Sequence, residues 1–226
     1  MSAPGSTLEI ERKYAVGADF VMPDLSRVPA VAAVTGPHTY HLTAVYLDTP
    51  GLRLAEAHIT LRRRTGGTDA GWHLKLPAGT ARREVHEPLG AGTEPVPPPL
   101  AAMVADWTGG EPLRPIARLQ TTRTVRHLVD AAGRVLAEVA DDEVTGSLPS
   151  GTPSRGDTPD AEPAPDTWRM VSAWREVEIE LDRGPAEILD QAGRLLILAG
   201  ARPSPSASKL SQLLREAGEA PAGPHD

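Results

Sequence analysis

The sequence predicts a β-dominated α+β domain, and three observations carry that expectation. Apolar and polar residues alternate with period two in eight separate runs. Two pairs of those runs are joined by short, turn-rich linkers, which makes hairpins and hence antiparallel pairing. Four further stretches have helical spacing instead. A length of 226 residues with 40% hydrophobic and 23% charged side chains is a globular composition, enough for one large domain.

In chain order, the predicted strands are 7–14, 40–47, 58–64, 71–76, 82–87, 116–128, 134–142 and 168–181. The runs at 59–64 and 72–76 meet through Thr65-Gly66-Gly67-Thr68-Asp69-Ala70-Gly71, and 116–128 meets 134–142 through Asp130-Ala131-Ala132-Gly133. Helices are predicted at 24–34, at 98–107 after the prolines between Pro95 and Pro99, at 185–199 and at 206–217, the last capped by Ser206 or Ser208. Residues 146–166 are rich in Gly, Pro, Ser, Thr, Asp and Glu and poor in large apolar groups, which predicts a poorly ordered insertion. Strands lie on both sides of it, so residues 1–217 are expected to form a single domain with a flexible tail over 218–226.

Composition excludes several function classes. The absence of Cys removes disulfides, thiolate nucleophiles and Cys-ligated zinc, which leaves oxygen and imidazole ligands for any metal. No apolar run approaches the roughly 20 residues that a membrane-spanning helix requires. The N-terminal residues lack the pattern of a secretory leader, so a cytoplasmic location is expected. A net charge of −7 and only eight aromatic residues argue against a nucleic-acid partner.

The alternation itself places charges on shared faces. Glu9, Glu11 and Lys13 alternate with Leu8, Ile10, Arg12 and Tyr14. Late in the chain, Glu176, Glu178 and Glu180 alternate with Val177, Ile179 and Leu181. Arg62 and Arg64 share another face, and on the hairpin partner His73 and Lys75 alternate with Trp72, Leu74 and Leu76. Between Arg53 and Arg83 stand seven Lys/Arg and two Asp/Glu, a basic block in an acidic chain. Two architectures accommodate this pattern. In a sandwich, the charged faces are solvated and the apolar faces make the core. In the inverted arrangement the charged faces line a polar lumen, with the apolar faces outside under helices. Carboxylates about 6–7 Å apart along a strand repel one another, and a hard divalent cation relieves them, while Arg and Lys opposite bind phosphate oxygens.

Glu9-Ile10-Glu11-Arg12-Lys13 resembles the E-x-E-x-K motif that opens the CYTH family, the triphosphate tunnel metalloenzymes. Other blocks follow in family order: Tyr46-Leu47-Asp48-Thr49, Leu61-Arg62-Arg63-Arg64, Leu74-Lys75-Leu76-Pro77, Arg82 and Arg83 with Glu84, Arg123, Glu138 with Asp141 and Asp142, Glu176 to Glu180, and Lys209. The likeness spans about 8 to 210. It implies an eight-stranded antiparallel β-barrel forming a tunnel, with the helices packed on its outside.

The resemblance also implies roles. Lys13, Arg62, Arg64, Lys75, Arg123 and Lys209 would bind the triphosphate. Glu9, Glu11, Glu138, Asp142, Glu178 and Glu180 would hold one or two Mg²⁺ or Mn²⁺ ions. Glu9, Glu11, Lys13 and Lys75 are the expected catalytic set. Parity with Glu138 favours Asp142 over Asp141 for the lumen. Glu176, nearer its strand's start, is expected at a tunnel mouth, and Lys209, on a helix, over an opening. His73 receives no role, and register decides which of Arg82, Arg83 and Glu84 point inward. The implied activity is metal-dependent hydrolysis of inorganic triphosphate or an organic triphosphate such as thiamine triphosphate. The alternatives are a class IV-type adenylate cyclase and a non-catalytic polyphosphate-binding module.

Overall fold

A computed structural model describes residues 5–79, 81–90, 96–150 and 167–219. Among them are ten strands: β1 (Gly5–Glu9), β2 (Glu11–Val16), β3 (Ala33–Asp48), β4 (Thr60–Thr65), β5 (Gly71–Ala78), β6 (Ala81–Pro88), β7 (Arg114–Val129), β8 (Val135–Pro149), β9 (Trp168–Leu181) and β10 (Arg202–Pro203). The helices are α1 (Arg53–Glu56), α2 (Pro98–Thr108), α3 (Glu187–Leu198) and α4 (Lys209–Ala217). All strands join one antiparallel sheet in the order β1-β6-β5-β4-β3-β7-β8-β9-β2-β10. Both expected hairpins form, as β4–β5 and β7–β8.

The expected first strand is broken. β1 pairs with β6 at one edge of the sheet, whereas β2 pairs with β9 and β10 near the other. Only Ile10 lies between them. Among the described residues the sheet therefore has ten strands and is not hydrogen-bonded into a closed ring, where the expectation was an eight-stranded barrel. Chain continuity through Ile10 nevertheless draws the two margins together and rolls the sheet about its charged face.

Alternation then assigns the two faces. Leu61, Trp72, Leu74 and Val85 are buried on the convex side with Leu54 of α1 and with Leu100 and Val104 of α2. Val139, Val177 and Ile179 form a second convex core beneath α3, whose Ile188, Leu189, Ala192 and Leu196 recur at helical spacing. Each fully buried Leu, Ile or Val among them contributes about 1.5–3 kcal/mol relative to exposure.

The fourth helix departs from the expectation of external packing. Leu210, Leu213 and Leu214 of α4 pack on Ala44, Tyr46, Leu119 and Val144, which share the strand faces that carry the charged groups. The helix is thus a plug in the concave side. Gly146 makes room for it, since a Cβ there would meet the Leu213 side chain. Ser208 caps α4 by accepting from the Ser211 amide at 3.0 Å, one of the two serines expected.

Two other expectations change. Residues 24–34 hold a 3₁₀ turn, Leu25–Arg27, rather than a helix, and β3 begins at Ala33. Pro29 removes a backbone donor and disfavours helical geometry at Val28, and Ala30 has a φ of 72°. β8 runs on to Pro149, so the first part of the expected 146–166 insertion is strand. Its remainder, 151–166, and residues 220–226 lie outside the described residues.

Candidate active site

The charged faces turn inward. Glu9, Arg64, Asp142, Glu176, Glu178 and Lys209 are all less than one-tenth exposed. That excludes the sandwich with solvated charges. These faces enclose a cavity of about 640 Å³ lined by side chains from β1 through β9 and the start of α4.

One wall is cationic. Arg62 and Arg64 of β4, Lys75 of β5 and Arg123 of β7 all reach the cavity. Arg62 Nη1 donates to the Tyr46 hydroxyl at 3.3 Å, and its Nη2 lies 4.0 Å from Glu84. The Nε atoms of Arg62 and Arg64 are buried without any hydrogen-bond partner. Burial, followed by the neighbouring Arg62 and Arg123 guanidiniums, pushes Arg64 down to about 9. Glu84 binds this wall together. It lies 3.7 Å from Lys75 and 2.9 Å from Nδ1 of His73. Burial opposes its ionisation, but the His73 hydrogen bond and Lys75 outweigh that and hold its carboxyl far below the usual range. Burial drives the His73 imidazole down to about 4.

The deepest part is a carboxylate cluster around one ammonium. Oxygens of Asp142, Glu176 and Glu178 lie within 4.8 Å of one another. Lys209 Nζ stands among them, 3.0 Å from Asp142, 2.7 Å from Glu176 and 2.7 Å from Glu178. Arg123 grips both Asp142 oxygens at 2.9 and 2.7 Å and reaches Glu178 at 2.8 Å, and Lys13 also contacts Glu178. Burial favours a neutral Glu178, yet Lys13, Lys209 and Arg123 hold its carboxyl well below the ordinary value. Three carboxylates thus meet three resident cations, so this cluster is already neutralised by the chain.

A second acidic group is less fully matched: Lys13, shared with Glu178, lies 3.1 Å from Glu11, and His127 Nε2 lies 3.4 Å from Glu138. Glu11 is the register partner of Glu180, and Glu180 is also the partner of Glu138. The three carboxylates stand side by side on β2, β9 and β8 along the cavity wall. Facing like charges destabilise a sheet. Accordingly burial first, then Glu11, Glu178 and Glu138, raise the Glu180 carboxyl, against the pull of Lys75. Glu9, across the cavity rim, is 2.6 Å from Lys75, but burial prevails and carries it up to about 7.

The structure brings all the predicted site residues to this concave side. Asp142 faces in, as parity required, while Asp141 turns away to a two-point pair with Arg175 at 2.9 Å. Arg82 and Glu84 line the cavity and Arg83 does not. Glu176 is interior rather than at a mouth, because its register partner is the buried Asp142. Lys209 is buried in the plug rather than set over an opening. Asp48 of the Tyr46–Thr49 block serves α1 instead, accepting from the amides of Thr49, Leu54 and Ala55. Sequence reasoning missed Asp69, whose carboxylate contacts Arg64 and whose carbonyl oxygen lies 2.9 Å from His73 Nε2.

The CYTH domain family matches residues 7–212. The chain belongs to that family. It is 41% identical over 228 residues to two uncharacterised proteins of Mycobacterium tuberculosis, strains CDC 1551 / Oshkosh and ATCC 25618 / H37Rv. The match takes in 98% of this chain and 43% of each relative, so the chain spans less than half the length of those proteins. Among solved structures, a candidate adenylate cyclase of Bacillus halodurans superimposes with a TM-score of 0.53 at 16% identity, covering 92% of this chain and 98% of that one. A candidate adenylyl cyclase of Hippeastrum, described as having dominant triphosphatase activity, gives 0.50 at 16% identity over 93% and 96%. At such identity these structures share the fold. No helix among the described residues is long and apolar enough to cross a membrane.

Proposed function

We propose that this CYTH domain hydrolyses a triphosphate with the help of a divalent cation, at the cavity on the concave face of the sheet. The observation that carries the reading is the division of that cavity. One side offers guanidiniums with buried, unused donors, and the other a row of three carboxylates, Glu11, Glu180 and Glu138, whose contacting lysine, Lys13, is shared with Glu178. A polyanion with its cation satisfies both sides at once. The family membership and the triphosphatase activity named for the Hippeastrum protein support the same reading.

The donor set of Glu11, Glu180 and Glu138 consists of oxygens alone, which suits Mg²⁺ or Mn²⁺. The Asp142, Glu176 and Glu178 cluster suits a metal less well, since Lys209 and Arg123 already occupy its oxygens. When bound, the cation would neutralise charge on the terminal phosphates and lower the pKa of an attacking water. Arg62 and Arg64 present forked donors to phosphate oxygens, and Lys75 and Lys13 act as point charges. Arg123, held rigid by both oxygens of Asp142, projects a fixed positive charge where negative charge grows in the transition state. Tyr46 and His127 are the only aromatic rings among the described residues lining the cavity, and Arg62 engages Tyr46. That poverty of stacking surface favours inorganic triphosphate over thiamine triphosphate or ATP.

Phosphate release from these three substrates, with Mg²⁺ and with Mn²⁺, tests the proposal. Orthophosphate from inorganic triphosphate, dependent on metal, is the expected result. Cyclic AMP and pyrophosphate from ATP would favour the cyclase reading instead, and no turnover of any substrate would leave a binding module.

A further inference from the structure

The turn between β4 and β5 carries a carboxylate into the cationic wall. Asp69 sits on it, lines the cavity and pairs with Arg64. The two partners differ sharply in exposure, 6% for the Arg64 side chain against 53% for that of Asp69. Arg64 is fixed in the wall, while the carboxylate approaches from the solvent side.

The backbone beneath Asp69 is held by other contacts. Gly66 and Gly67 have φ of 80° and 72°, a region that favours glycine, and a Cβ at Gly66 would collide with the carbonyl oxygen of His41. The Asp69 carbonyl oxygen is packed 2.9 Å from His73 Nε2. Only the side chain is free to leave, so separating Asp69 from Arg64 requires a rotation about its own bonds and no movement of the turn. Meanwhile Arg64 Nε is buried with no acceptor. The guanidinium can therefore donate to a further anionic oxygen, and a phosphate that took both positions would replace one half-exposed ion pair with a forked contact.

We infer that Asp69 is an internal counter-ion of the anion wall, holding Arg64 until the phosphate chain displaces it and reclaiming Arg64 when product leaves. The inference rests on the reading of the cavity as a triphosphate site. It makes Asp69 a residue that weakens ligand binding, unlike every cationic neighbour in the wall.

The test uses the full chain and its Asp69→Asn variant, with Asp69→Ala as a second variant in case the amide keeps a hydrogen bond to Arg64. Modification of Arg64 by phenylglyoxal, followed by peptide mass spectrometry, reads the pairing with no ligand present. Calorimetric titration with inorganic triphosphate in the absence of metal reads the displacement. Both variants are expected to label Arg64 several-fold faster and to bind triphosphate roughly fivefold more tightly, the size of one partly exposed ion pair. The gain should vanish when Arg64→Gln is added to either variant. Faster labelling with triphosphate binding to no protein would uphold the pairing and remove the reading of the cavity. Equal labelling, or triphosphate binding that is unchanged or weaker in both variants, would overturn the inference.

Discussion

Replacing Lys209 by Met removes one charge and keeps most of the packed stem. Its ammonium is within 3.0 Å of oxygens from Asp142, Glu176 and Glu178, whose residues are 0%, 3% and 8% exposed. Arg123 and Lys13 remain, so three carboxylates face two cations in the variant. Removing one partner of a buried ion pair costs about 3–5 kcal/mol, because the other is left desolvated and uncompensated. For a chain of this length, about 1 kcal/mol moves the melting temperature by roughly 2–4 °C. Thermal unfolding of Lys209→Met should therefore occur about 6–20 °C lower. The vacated oxygens also remain within 4.8 Å of one another. Mg²⁺ or Mn²⁺ should raise the melting temperature of the variant by more than that of the parent chain, through preferential binding to the folded form. A loss under about 1 kcal/mol, with identical responses to metal, would refute the idea that Lys209 is the cluster's resident cation.

Other consequences are directly measurable. Glu180→Gln removes the central charge of the Glu11–Glu180–Glu138 row. Urea unfolding should find its stability unchanged or raised by up to about 1 kcal/mol, while metal-dependent phosphate release is lost. Glu11→Ala and Lys75→Ala should likewise abolish phosphate release without unfolding the chain, as circular dichroism would verify. The folded Glu178 carboxyl lies below its ordinary value of 4.5, so the folded chain binds fewer protons than the unfolded chain in that window. Its stabilising contribution is complete above the ordinary value and is lost as pH falls through the depressed one. Denaturant melts at pH 7, 5 and 3 should show a flatter acid limb for Glu178→Gln. Gly66→Ala should cost more than about 1 kcal/mol in the same melts, from the collision with the His41 carbonyl and the positive φ.

Much of this site was legible in the sequence because strand parity is a strong constraint. Leu61, Trp72, Leu74, Val177 and Ile179 fall on the convex side and Arg62, Arg64, Lys75, Glu178 and Glu180 on the concave side; alternation alone required that the two sets take opposite faces, not which face is enclosed. Parity also selected Asp142 over Asp141. It could not reveal the break at Ile10, since a strand that changes partners while keeping its alternation reads as one strand. The same limit hid the open sheet, which is a matter of which edges pair and not of which face a residue takes. The helix expected at 24–34 is overruled by Pro29, which an irregular segment tolerates. Leu25 and Val28 are nevertheless core residues. The position of α4 was concealed for another reason: its apolar face matches a convex or a concave surface equally well. Glu176 lies near its strand's start yet deep in the interior, because the cross-strand partner Asp142, and not distance along the strand, sets its depth. Asp69 stood in a turn-rich run that reads as a solvated loop.

The central claim is that polyphosphate and cation are held together on the concave face. Calorimetric titration of inorganic triphosphate in the presence of Mg²⁺, against the parent chain and its Arg62→Ala and Arg123→Ala variants, addresses it most directly. One triphosphate per parent chain, with binding at least tenfold weaker in each folded variant, is the predicted result. Equal affinity in all three proteins would contradict the account, because the ligand would then be bound away from the rolled sheet's charged interior.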